Sequence, residues 1–270
     1  MSSPYGWKAS VRGAAALFAL GLLGVLALAV YTVPALREIP ELSALSYPTL
    51  VLLASINSLL LLVVFVLLGA ATAPRIDLTS HVFTWAADGT PEWGEIRDSL
   101  PLALALGTGL FVLIVVLDVV FAQFTGVPTG EPPGDADALA DLLASIPMRL
   151  LYGGITEELL LRWGFMAPVA YGLWWVGNRA GEATDAPSEP IFWIAIVVSA
   201  IMFGVGHLPA LATTFELTTP LILRTVLLNA LAGIVLGWLF WKRSLETAMI
   251  AHAAFHVALV VTSTALIVLF

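Results

Sequence analysis

Seven long apolar stretches alternate with short polar breaks along the chain. They run near residues 13–33, 48–73, 100–124, 147–176, 191–208, 220–241 and 246–269. Each reaches or approaches the roughly 20 residues that a helix needs to span the hydrocarbon layer. Prolines and polar clusters mark the breaks, at Pro34 and Pro40, Pro74, Pro128 to Pro133, Pro187 and Pro190, and Pro209 and Pro220. The pattern predicts an all-α fold, a polytopic transmembrane helical bundle of about seven spans within a range of six to eight. Residues 136–146 have amphipathic spacing and read as an interfacial helix leading into the fourth span. That span is long, and Pro168 can kink it or split it in two.

Composition supports this class. Of 270 residues, 60% are hydrophobic and only 11% are charged, against roughly 25% charged in soluble domains. A soluble fold of this size could not cover its surface with so few charges. The first apolar run, Ala14 to Tyr31, is longer than the core of a signal peptide and reads as a retained helix. The chain has no cysteine, which excludes disulfides and thiol nucleophiles. The net charge of -8 sits mostly in loops, at Glu131, Asp135, Asp137, Glu182, Asp185 and Glu189, and argues against nucleic acid as a partner.

Positive charges orient the spans. With seven spans, Lys8, Arg12, Arg75, Arg97, Arg179, Lys242 and Arg243 fall on one side and Arg37 on the other. This predicts an integral multi-pass protein of the cell membrane with its N-terminus in the cytoplasm. Eight spans would put Lys242 and Arg243 on the wrong side. The longest hydrophilic connection, 74–99, shows no chemistry; its aromatic residues are expected at the interface.

Three ionisable clusters lie inside apolar spans, where a buried charge costs several kcal/mol and marks function by default. The first is Glu157-Glu158-Leu-Leu-Leu-Arg162. Glu158 and Arg162 are four residues apart and share a helical face, so they can pair. Glu157 is turned about 100° away and is free to face a cavity. The second is Phe203-Gly-Val-Gly-His207, and the third is His252-Ala-Ala-Phe-His256. Three of the four histidines thus fall within spans. Singly, each cluster has a structural reading: an ion pair, a helix–helix hydrogen bond, a packed pair of rings. Asp118, Arg224 and Asn229 are further intramembrane polar groups, able to pair or to line a cavity, with no role assigned.

These motifs resemble the CPBP family, which contains the CAAX prenyl proteases of the Rce1 type and the bacterial Abi proteins. The resemblance rests on Glu157-Glu158-x-x-x-Arg162, Phe203-x-x-x-His207 and His252 in a later helix, in that order on separate spans. It covers roughly residues 140–265, which divides the chain by role into N-terminal helices, 1–135, and a catalytic helical core, 136–270. It implies an intramembrane endopeptidase acting on a membrane-tethered or transmembrane substrate, with the lipid bilayer as its surroundings. On the family pattern Glu157 and His207 hold and activate a water. Glu158 and Arg162 position Glu157, and His252 with His256 stabilises the oxyanion. The family's usual residue at the last position is asparagine or a similar polar group; here it is His256. The 50 positions from Glu157 to His207 exceed the usual gap and suggest an insertion around 169–190.

The favoured mechanism needs no cofactor. Zinc held by Glu157, His207, His252 and His256 is the alternative. Other intramembrane proteases fit less well: His-Glu-x-x-His is absent, no serine nucleophile pairs with a membrane histidine, and only Asp118 is available for an aspartyl dyad. The rivals outside catalysis are a membrane scaffold or immunity-type protein and a proton-coupled carrier. The carrier would more often show repeated halves, and none is visible.

Overall fold

The computed structural model describes residues 4–90, 92–125, 136–181 and 184–269. The Pro/Gly/Asp tract up to residue 135, with Glu131 and Asp135, and also Glu182 lie outside the described residues. Within them the regular elements are all helical. They are α1 (Trp7–Arg37), α2 (Tyr47–Thr72), α3 (His81–Asp88), α4 (Trp93–Thr125), α5 (Ala136–Pro147), α6 (Ala167–Arg179), α7 (Glu189–Gly206), α8 (Leu208–Leu211), α9 (Thr219–Lys242) and α10 (Leu245–Leu269). Among the described residues, seven helices are long and apolar enough to cross a membrane. Large side chains such as Leu60, Leu67, Val116 and Phe124 are more than half exposed, as expected of faces that meet lipid.

The chain stays helical between α5 and α6. Its backbone bonds there run from residue i to i+5, over Met148–Thr156 and again over Leu159–Met166. Glu157 and Glu158 sit at the joint between these two wide stretches. The fourth span is therefore one helix of 42 residues, from Ala138 to Arg179. The amphipathic stretch 136–146 is its first part, and Pro168 does not divide it. In a regular α-helix the proline ring clashes with the carbonyl four residues back. Pro168 instead falls in the first turn of α6, directly after a wide turn in which the Ala167 N–H bonds to the Arg162 carbonyl. The 50 positions between Glu157 and His207 are taken up by the continuation of this helix and a short link to α7.

The connection 74–99 corrects the sequence reading. It folds inward as α3 and enters the core. Ser80 caps α3, its Oγ accepting from the Phe83 N–H at 3.2 Å. The carboxylate of Glu246, at the start of α10, accepts from Ser80 Oγ at 2.6 Å, His81 N–H at 3.0 Å and Val82 N–H at 3.1 Å. Arg12 of α1 donates to the Ala86 and Ala87 carbonyls at the other end. An anion at the N-terminus and a cation at the C-terminus both suit the helix dipole. So held, Phe83 is buried against Trp163, ring centroids 5.2 Å apart, and its burial contributes roughly 2–3 kcal/mol. Trp163 also meets Phe240 at 6.4 Å and donates to the Val66 carbonyl at 3.3 Å. One core thus joins α1, α2, α3, the fourth span, α7, α9 and α10.

Candidate functional site

Arg162 and Glu158 pair as the spacing predicts, Nε to Oε2 at 3.2 Å, with almost no exposure. Such a pair loses much hydration energy, and further partners must offset it. The second oxygen of Glu158 accepts from His252 Nδ1 at 2.8 Å. One buried carboxylate thereby holds a guanidinium of its own helix and an imidazole of α10. Arg162 also donates to the Gly233 carbonyl at 3.4 Å and lies 4.8 Å over the Phe203 ring.

His252 has committed Nδ1–H to Glu158, so Nε2 is its other functional atom. It lies 4.0 Å from Glu157 Oε2. Glu157 keeps about a fifth of its side chain exposed, whereas Glu158 has none. The two adjacent glutamates therefore differ in surroundings, one open to a cavity and one sealed behind it.

His207 follows the last residue of α7. Its Nδ1 is 2.8 Å from the Phe203 carbonyl. A carbonyl only accepts, so Nδ1 donates, and in the neutral ring Nε2 carries the lone pair. His256 stacks on His252, centroids 4.9 Å apart and planes 20° from parallel. Room for it comes from Gly153, where an added Cβ would lie 2.5 Å from His256 Nε2.

Glu157, His207, His252 and His256 all line one cavity of about 1700 Å³; Glu158 and Arg162 stand behind its wall. Its lining takes residues from the last third of α1, the end of α7 and α8, and the start of α9, all in the half of the bundle where α1 ends. Much of the wall is apolar, including Leu26, Leu110, Ile114, Leu161, Phe165 and Leu228. Among the described residues, the cavity's histidines and glutamate do not bring three ligand atoms within 4.8 Å of one another. That geometry does not suit zinc without rearrangement.

Several cavity residues carried no role in the sequence reading. Phe203 was only the first letter of a motif. Its ring packs on His207 at 4.8 Å, on His252 at 5.8 Å and under Arg162, and so spaces all three. Asp118 and Arg224 do pair, at 2.6 and 2.7 Å between α4 and α9, and both line the cavity with Asn229, Arg149 and Tyr152. Their depth in apolar spans was the signal, but nothing in their spacing ties them to the three motifs.

Residues 139–258 match the family model described as Rce1-like, type II CAAX prenyl endopeptidase Rce1-like. All six residues of the expected site fall within the match. No curated protein and no solved structure matches the chain.

Proposed function

We propose, from the premise that residues 139–258 are a domain of the type II CAAX prenyl endopeptidase Rce1-like family, that this integral membrane endopeptidase works by a glutamate-activated water without a metal. The observation that carries this reading is the convergence of the Glu157 carboxylate, His207 and His252 on one cavity. A water there donates one hydrogen bond to the His207 Nε2 lone pair and one to Glu157. Glu157 takes a proton as the water oxygen attacks the scissile carbonyl carbon. The oxyanion that forms is held by His252, doubly protonated and donating from Nε2, while Glu158 supports the opposite nitrogen. His256 backs that ring by stacking on it. Glu157 then returns its proton to the leaving amine as the C–N bond breaks.

The cavity lies in the half of the bundle where α1 ends. Lys8, Arg12, Arg75, Arg97, Arg179, Lys242 and Arg243 belong to the opposite end. With the positive end in the cytoplasm, the substrate is a membrane-tethered or transmembrane chain reached from the outer face. The cavity's size and apolar walls suit a peptide carrying an apolar segment or lipid.

The test is cleavage of a membrane-tethered and lipidated reporter library by the purified chain in lipid, beside Glu157→Gln and His207→Ala. The native protein is expected to cut, and both variants to lose about 100-fold or more in kcat at unchanged thermal stability. Activity that persists in either variant overturns the mechanism. Activity that depends on zinc bound at Glu157, His207 and His252 themselves overturns the metal-free form. A well-folded protein that cuts nothing across the library moves the reading to a scaffold or carrier.

A further inference from the structure

The fourth histidine lies outside the cavity, in a segment whose sequence showed no chemistry. His81 opens α3 and is 2% exposed. Its backbone is fixed, because its N–H donates to the buried Glu246 carboxylate. Its Nδ1 is buried and has no hydrogen-bond partner among the described residues. That is an unusual state for an imidazole nitrogen so well enclosed.

What the ring faces is a pair of carboxylates. Glu92 and Glu95 stand three residues apart at the head of α4, and one oxygen of each lies with a ring nitrogen of His81 inside a 4.8 Å group. Glu92 Oε2 is 3.7 Å from Nδ1, too far for a hydrogen bond. Ligand atoms around a four-coordinate zinc ion stand roughly 3.4 Å apart, given bonds of about 2.0–2.1 Å. The gap is therefore close to what one ion would fill. Glu92 is about half exposed and Glu95 is exposed, so both carboxylates can swing while the histidine stays fixed.

We propose that His81, Glu92 and Glu95 form a divalent-cation site, separate from the cavity, that clips the head of α4 to α3. One imidazole nitrogen and two carboxylate oxygens suit zinc, or cobalt as its spectroscopic stand-in. Water completes the shell on the exposed side. The clip acts on the element that puts Phe83 behind Trp163, the neighbour of Arg162, so an ion here steadies the wall behind the cavity.

The experiment uses the full chain in lipid after chelator treatment, titrated with Co²⁺ and with Zn²⁺. The native protein is expected to bind one Co²⁺ with visible bands of a nitrogen-ligated ion, and to melt at a higher temperature with Zn²⁺. Glu92→Gln/Glu95→Gln changes only exposed groups and is expected to melt like the native protein without metal. It should lose both the bands and the zinc-induced shift, with affinity down at least 10-fold. Glu157→Gln should keep both, which separates this site from the cavity. Native protein that binds no ion at millimolar concentration overturns the proposal. So does binding that is unchanged in the double variant, or abolished by Glu157→Gln.

Discussion

At the scale of single residues, neighbours in sequence have taken opposite roles. Glu158 is sealed and holds both Arg162 and His252; Glu157 looks into the cavity. Glu158→Gln keeps the shape and removes the charge that both partners need. We expect it to lower stability by about 3 kcal/mol, the cost of leaving a buried cation unpaired, and to lower kcat as well. Denaturant unfolding and cleavage rates measured on the same preparation check this; an unchanged melting curve would show that the pair is not the support inferred. Gly153 is the other sensitive point. Gly153→Ala puts a methyl against His256 and should cost about 1–3 kcal/mol by overpacking. Adding His256→Ala removes the obstacle, so the double variant should be more stable than the sum of the single effects predicts. Strict additivity in that cycle would mean that the methyl meets something else.

At the scale of elements, α3 and the fourth span matter most. An eight-residue helix is too short to persist alone. It stands because Glu246 satisfies its first N–H groups, Arg12 meets its last carbonyls and Phe83 is buried. Glu246→Ala leaves those donors in a closed space and should destabilise the fold by about 3 kcal/mol. Glu246→Gln retains an acceptor and should cost less. The order of the two midpoints in thermal unfolding is the check, and equal midpoints would refute the cap. Ser80 and Gly89 bracket α3 as N-cap and as a left-handed terminal glycine, with φ of 85° at Gly89, but the sequence reading predicts no helix in this connection. Its inward destination was not legible either, because the partner Glu246 lies 165 positions away from His81. In the fourth span, the i→i+5 stretches place the two glutamates at a joint. Wide turns of this kind often occur at functional sites, yet no local residue pattern announced them.

At the scale of the whole molecule, the question is which face the cavity serves. The chain has no cysteine, so single introduced thiols report topology cleanly. Ser43→Cys lies after α1, near the end that holds the cavity, and Asp185→Cys lies before α7 at the opposite end. In intact cells an impermeant thiol reagent is expected to label Ser43→Cys and to spare Asp185→Cys. The reverse result would put the cavity on the cytoplasmic side and change the pool of substrates. The Asp118–Arg224 pair ties α4 to α9 along the cavity wall.

The sequence by itself determined the spans and the set of chemical groups. Each membrane helix satisfies its own backbone hydrogen bonds, so a local run of apolar residues is enough to specify it. That is why seven runs became seven helices with ends shifted by only a few residues, apart from longer starts to the first, third and fourth. The motif spacing likewise specified the Glu158–Arg162 pair, because both partners share one helix. Tertiary structure decided the rest. Which glutamate meets His252 depends on contact across 94 positions. That Phe203 separates His207, His252 and Arg162, and that the 74–99 connection plugs the core, follow from how helices pack. Such contacts are set by side chains from distant segments meeting in one space, and no periodicity within a single segment encodes them.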